Sequence, residues 1–308
     1  VFCVDEIIVF NDGQSKTPSG RNGHHQGRGR DFEGEDGYTG VSDPDHFLYH
    51  LLTYLECPPY LRQKLFPIHP NLRTAGSSHS LDMPHHLKSE EWCHYREGVT
   101  VETGDANAET SLVDVGFTNP ITVDAPIPPY TRVTLKFDSI DTPASFPFRP
   151  NAPPSAIPSA EAVDPAEPRE TAGYYWGYTV RQASSLSNVF TESPFEDGYD
   201  VSIGTSERGV ALSELLYKQT SKSKSSTRSL PDSFKHALIV FGGVAGLEAA
   251  AGADSQLAET GIKKENVGEL FDFWVNACPG QGSRTIRTEE AIWVTLSQLH
   301  GWNQAANQ

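Results

Sequence analysis

Three stretches decide the fold of this chain: YDVSIGTSERG (199–209), HALIVFGGVAGLE (236–248) and FDFWVNACPGQGSRTIRTEE (271–290). Each opens on a short apolar, β-prone run and continues into a loop that carries glycine. The runs predict strands over 199–203, 237–241 and 271–276, with another over 175–180. Strands, loops and helices in this rhythm predict an α/β sheet. In such sheets ligands gather at the carboxyl ends of the strands, where these loops converge. Glycine there lets backbone N–H and C=O groups approach closely enough to read a purine edge and a ribose. The loops 204–209, 242–248 and 276–287 are therefore the candidate ligand site, against the alternative that their glycines only make tight turns.

Working outward, a helix is expected from about Thr288, with Glu289 and Glu290 in its first turn where the helix dipole favours acids, ending before Gly301. Upstream of the second loop, 212–229 begins apolar and turns polar, which predicts a mobile second half. Val1 to Phe10 reads as a strand that starts without Met or a leader, so the chain is expected to begin inside a domain. Residues 11–40 hold almost nothing to bury and read as a flexible loop. Phe47, Leu48, Leu51, Leu52 and Leu55 recur at helical spacing behind an N-cap at Ser42, and Pro58-Pro59 stops the run. A second short helix is expected over 60–66, then an irregular segment over 67–87.

From Gly98 the period changes to alternation. Four short strands over 99–101, 111–117, 121–123 and 131–137 suggest a small β-barrel inserted into the main domain. Residues 143–168 contain eight prolines, which predicts an extended, unpacked linker closing that insertion.

The 308 residues carry 24 Lys plus Arg against 40 Asp plus Glu, a net charge of −16, with 37% hydrophobic residues. That suffices for one sizeable core and an accessory domain. It argues against a protein that coats nucleic acid through bulk charge, because that affinity needs Lys and Arg on phosphates; a local basic site stays open. Four irregularly spaced cysteines do not make a disulfide framework, so a reducing compartment is expected. No window resembles a membrane helix or a signal peptide, which predicts a soluble, intracellular protein.

Several motifs compete for the chemistry. There is no GxxxxGK[ST], and Gly280-x-Gly282 lacks the third glycine of a dinucleotide fingerprint. Cys278, five residues, then Arg284 and Thr285 between a strand and a helix is the layout of a cysteine phosphatase. Against it, Pro279 removes one amide from the cradle, Ala277 stands where a His usually precedes the Cys, and no general acid is identifiable. His69, His79, His85, His86, Cys57, Cys93 and His94 are concentrated in one stretch without a closely spaced Cys pair, so solvated or packed side chains are expected there instead of zinc.

Five segments, YLRQKLFPIHPNLRTAGSSHSLDMPHH (60–86), EWCHYREGVTVE (91–102), GYTVRQASSLSNVFTESPFEDGYDVSIGTSERG (177–209), HALIVFGGVAGLE (236–248) and VNACPGQGSRTIRTEEAI (275–292), carry a resemblance. Together they closely resemble the archaeal and eukaryotic branch of the SPOUT, or trefoil-knot, RNA methyltransferases. The resemblance implies an α/β fold with a SPOUT-type parallel sheet, a C-terminal trefoil knot and a small OB-like β-barrel insertion. It divides the chain into a discontinuous methyltransferase domain (1–92 and 170–308), the insertion (93–140) and the Pro-rich linker (141–169), with the family's first strand and following loop before Val1. It implies S-adenosyl-L-methionine as cofactor, a ribosomal RNA substrate with a uridine base favoured, a homodimer, no membrane association and a nuclear or nucleolar location. Its cofactor residues map onto Arg208, Gly242, Asn276, Ala277, Gly282, Thr285 and Ile286. Arg287 and Glu289 are the candidate catalytic pair, for base positioning and RNA contact, and Arg181 and Arg284 are further RNA contacts. Helix capping and surface charge are the plain alternative for Arg287 and Glu289. The competing functions are the phosphatase and a non-catalytic RNA-binding dimer.

Overall fold

A computed structural model describes residues 1–13, 37–78, 81–102, 109–216 and 229–306. Most of the flexible loop expected over 11–40, the mobile half expected within 212–229, and His79 lie outside the described residues. The chain forms two compact units. In chain order the elements are β1 (Glu6–Phe10), α1 (Pro44–Glu56), α2 (Pro59–Leu65), β2 (Tyr95–Val101), β3 (Ser111–Asp114), β4 (Ile121–Val123), β5 (Arg132–Phe137), β6 (Ala160–Val163) and α3 (Glu167–Ala172). They continue with β7 (Thr179–Ala183), α4 (Leu186–Thr191), β8 (Val201–Ala211), α5 (Leu212–Leu216), β9 (Ala237–Val240), α6 (Gly246–Ala253), α7 (Ser255–Glu259), β10 (Phe273–Asn276) and α8 (Thr288–Ala306). β1 pairs with β7, and the chain passes between the two units inside these two strands.

One unit holds an antiparallel sheet in the order β4-β3-β2-β5-β6 together with α1 and α2. The reading from sequence placed α1 and α2 with the parallel sheet instead. α1 is capped by Asp43, whose carboxylate accepts from the His46 amide at 3.0 Å, and not by Ser42; Pro44 fits the first helical position because it has no amide to satisfy. β6 corrects the unpacked linker: residues 160–163 lie in a proline-free run between Pro158 and Pro165, and pair with β5 as an edge strand. β7 starts at Thr179, later than the strand expected over 175–180, because Gly177 sits at φ +97° and any Cβ there would meet Glu56 and His85.

The interior of this unit is polar at one point. Arg132 donates to Glu56 Oε2 at 2.5 Å and Oε1 at 3.0 Å, and to Glu97 Oε2 at 2.6 Å. Thr134 and the Trp176 indole each donate to Glu97 Oε1 at 2.6 Å. His85 Nε2 lies 2.9 Å from Glu56 Oε1. Burial alone would raise the Glu56 carboxyl, but hydrogen bonds from His85 and Arg132 outweigh it and hold the group down to about 2. Nearby, the fully buried Arg96 donates to the carbonyls of Val115, Glu91 and Lys88 and lies over the Phe117 and Tyr60 rings.

The other unit carries the parallel sheet, in the order β10-β8-β9. Val201, Ile203, Phe273 and Val275 face one core with Leu212, Leu215 and Leu299; Leu238 and Val240 face the other with Leu186, Leu247, Val267 and Phe271. A parallel sheet covered on both faces needs such apolar runs, which is why they were legible. α8 continues through Gly301 to Ala306, past its expected end. Trp302 packs against Phe234 with centroids 4.5 Å apart and donates to the Pro231 carbonyl at 2.7 Å, so tertiary contacts outweigh glycine's poor helix propensity.

Asp254 ties two helix starts in this unit together. Its carboxylate accepts from the Gln256 and Leu257 amides of α7 and from the Ser187 amide of α4 at 2.7 Å. Asp254→Ala is expected to lower the unfolding free energy by about 1–2 kcal/mol, the cost of a lost cap, as read by urea denaturation. Asp254→Asn should recover part of that loss, because its amide oxygen still accepts.

Candidate functional site

The site begins with an irregularity in β8. Gly204 pairs with Trp274 of β10, yet the next partner of β10, Val275, pairs with Val210, so residues 205–209 leave the ladder and return to it. The return is tight. A Cβ on Gly209 would lie 2.6 Å from both N and Cα of Val275, so only glycine lets the two backbones come together.

The displaced residues bind the other two loops. The Asn276 side chain donates to the Glu207 carbonyl at 2.9 Å and accepts from the Cys278 amide at 2.9 Å. Thr205 donates to the Val240 carbonyl at the end of β9, and Ser206 donates to Glu248 at 3.4 Å. Thr288, at the start of α8, donates to the Gly242 carbonyl at 3.3 Å. Gln298 of α8 donates to the Ala277 carbonyl at 2.6 Å. The displaced stretch 205–209 of β8 and the loops after β9 and β10 thus meet along one edge of three neighbouring parallel strands.

Within this arrangement Gly242 lies under the first turn of α6, where a Cβ would come within 2.6 Å of the Leu247 amide. Asn276, Ala277 and Ile286 are half-buried, while Gly282, Arg284 and Thr285 are exposed. Around Gly280 and Gly282 nothing would meet an added Cβ within 4 Å, so the backbone there is open to a ligand. The chemistry of these donors suits an adenosine: backbone polar groups for its edge, an open glycine turn and the Ile286 side chain for its faces.

The charged candidates are placed differently. Arg208 is exposed and lies 3.8 Å from Glu248. Arg287 and Glu289 pair with each other at 3.9 Å at the start of α8, with side chains 79% and 70% exposed. The Arg287 amide donates to Glu290 at 3.0 Å, so the capping carboxylate at the start of α8 is Glu290 and not Glu289. Arg181, in the antiparallel unit, donates to Glu6 at 2.9 Å and is mostly buried.

For the phosphatase layout, Cys278, Arg284 and Thr285 lie between β10 and α8 as expected, but α8 begins only at Thr288 and Arg284 is exposed in the loop before it. Among the described residues no group of three or more His, Cys, Asp or Glu side chains is disposed to hold a metal ion.

A cleft of about 300 Å³ opens beside the loops, lined by Arg208, Glu248, Lys264 and Trp274 among others. It shares Arg208 with the expected cofactor residues and none of the others. Glu248 closes the candidate loop 242–248 but receives no role from sequence, because a Glu in the first turn of a helix looks like a dipole-complementing acid, and Trp274 in β10 looks like core. The adjoining GGVAG loop was the one signal that pointed to Glu248.

The chain belongs to the family described as "Putative RNA methyltransferase", which matches residues 1–299. Its relatives include the human protein named 28S rRNA (uridine-N(3))-methyltransferase, 42% identical over 304 residues, covering 97% of this chain and 69% of that protein. The mouse protein of the same name is 42% identical, covering 97% of this chain and 67% of its own length. That of Drosophila melanogaster is 39% identical, covering 97% and 55%.

Proposed function

We propose that this chain is an S-adenosylmethionine-dependent methyltransferase that modifies a uridine base of large-subunit ribosomal RNA at N3. The observation that carries the reading is the meeting of the displaced 205–209 stretch of β8 with the 242–246 and 276–287 loops that follow β9 and β10. The names of the relatives supply the substrate class.

S-adenosylmethionine, when bound, supplies an electrophilic methyl group on a sulfonium. The chain's residues hold and orient it: Gly242, Asn276 and Ala277 through the backbone, Gly282, Thr285 and Ile286 around the adenosine, and Arg208 at the edge facing the reacting groups. The exposed Arg284, Arg287 and Glu289 are assigned to positioning the RNA, a local basic contribution within an acidic chain; Arg181 would join them only by leaving its pair with Glu6. The antiparallel sheet is assigned as the OB-like module that grips single-stranded RNA.

The close crossing of Gly209 over Val275 and the anchoring of Asn276 on Glu207 support the trefoil threading of the C-terminal half. A homodimer would cover Trp293 of α8, which is 59% exposed. Among the described residues no helix is long and apolar enough to cross a membrane, and ribosomal RNA as substrate favours the nucleus or nucleolus.

The test is methyl transfer from labelled S-adenosylmethionine to a 28S rRNA transcript, with nucleoside mass spectrometry of the product. 3-Methyluridine is the expected product. RNA binding without any methyl transfer would instead favour the non-catalytic dimer.

A further inference from the structure

Methylation at N3 of uracil sets a requirement that the cofactor loops do not meet. The imide N3–H must lose its proton, and the charge left behind spreads onto O2 and O4 of the ring. A base for this step needs a carboxylate or imidazole beside the cofactor loops, shielded from water and next to a cation that takes up the developing charge. Glu289 is poorly suited, being 70% exposed and turned to Arg287.

Glu248 meets the description. It stands in the first turn of α6, directly after the 242–246 loop, with a side chain only 14% exposed. Ser206 donates to its Oε1 at 3.4 Å, and Arg208 lies 3.8 Å from the same oxygen. Ser206 and Arg208 belong to the displaced stretch of β8 and Glu248 to the start of α6, and Glu248 and Arg208 both line the 300 Å³ cleft. Half-buried Trp274 forms an apolar wall, and exposed Lys264, Glu265 and Glu269 are the other titratable groups of the lining. The volume is at the small end of ligand sites, which suits a single nucleobase or nucleoside.

We propose that this cleft receives the target uracil, with Glu248 as the base that takes its N3 proton and Arg208 as the cation on the ring oxygen; this rests on the function proposed above. The proton passes from N3 to a Glu248 oxygen, and the freed N3 electron pair forms the bond to the methyl carbon. The carbon–sulfur bond breaks, its electrons stay on sulfur to give the neutral thioether, and Glu248 releases the proton to solvent.

The test compares wild-type chain, Glu248→Gln and Glu248→Asp on 28S rRNA transcripts made with uridine or with 5-fluorouridine, whose ring fluorine acidifies N3–H. Single-turnover methyl transfer is followed across pH, and transcript binding is measured by filter retention without methyl donor. Glu248→Gln should lose about 100-fold or more in rate on uridine RNA. It should regain most of that on 5-fluorouridine RNA or at alkaline pH, with transcript binding unchanged within about twofold. Glu248→Asp should keep intermediate activity. Glu248→Gln at wild-type rate, or equally impaired on both transcripts at every pH, overturns the role of Glu248 while leaving the methyltransferase reading intact. A wild-type chain that binds transcript and transfers no methyl group overturns that reading and this proposal together.

Discussion

Arg132→Met is expected to lower the unfolding free energy by about 3–5 kcal/mol at neutral pH, measured by urea denaturation followed by circular dichroism. The guanidinium is the shared cation of two buried carboxylates, Glu56 and Glu97, and burial works against its charge until its hydrogen bonds with Glu56 and the two acids outweigh that and raise it. Methionine fills much of the volume yet leaves both acids without their counter-ion. Trp176 and Thr134 still donate to Glu97, and His85 still faces Glu56, but these do not replace a full positive charge.

The loss should depend on pH in a defined direction. The Glu56 carboxyl is held down to about 2 in the folded chain, below its ordinary value of 4.5. Its contribution is therefore complete above the range of an unfolded carboxyl and disappears as pH falls toward 2. In Arg132→Met the Glu56 carboxyl takes up its proton sooner, so the difference between variant and wild type should shrink on acidification. A loss under about 1 kcal/mol, or one that is constant between neutral and acid pH, contradicts a charge-dominated network.

Gly209→Val is expected to abolish binding of S-adenosylhomocysteine, read by isothermal calorimetry, while the antiparallel unit stays folded. The added Cβ lands on the Val275 backbone, and no rotamer relieves a clash with main chain. β8 and β10 must move apart where Asn276 reaches across to Glu207, which releases the loop that carries Ala277, Gly282, Thr285 and Ile286. Overpacking of this kind costs about 1–3 kcal/mol or more. Gly252→Ala is the comparison: its Cβ would sit at an ordinary 3.7 Å from Lys264, in the last turn of α6. That change should raise stability by about 0.5–1 kcal/mol and leave binding alone. Equal binding by Gly209→Val and Gly252→Ala would detach the cofactor from the 205–209 crossing.

What was legible from the residues was what local pattern encodes. The runs ending at Ile203, Val240 and Asn276 are strands because both faces of the parallel sheet are buried, and apolar residues in succession announce that. The convergence of the three loops followed from the strand rhythm and the rule for the carboxyl edge. The displaced residues 205–209 did not: GTSERG reads as a turn after a strand, and only the pairing of Val210 with Val275 reveals that the strand resumes. Gly177 broke a strand that its neighbours favoured, because its neighbours Glu56 and His85 are distant in sequence.

The same limit hid Glu56, Glu97 and Arg132, three charged residues separated by long stretches of chain, any of which reads as surface until the sheet brings them together. Glu248 lay within the candidate loop 242–248, yet received no role from sequence. An acid in the first turn of a helix has a sufficient local explanation, and its proximity to Ser206 and Arg208 depends on the crossing in β8. Arg208 was legible only through resemblance, which assigned it to the cofactor; its position between the loops and the cleft places it at the border with the proposed uracil site.

Amide hydrogen exchange on the whole chain, with and without saturating S-adenosylhomocysteine, tests the central claim most directly. Slowed exchange gathered in 205–209, 242–246 and 276–287 is the predicted result, because those backbones would enclose the ligand. Unchanged exchange in all three segments, or slowing confined to other parts of the chain, would contradict a cofactor site built from the meeting of these loops.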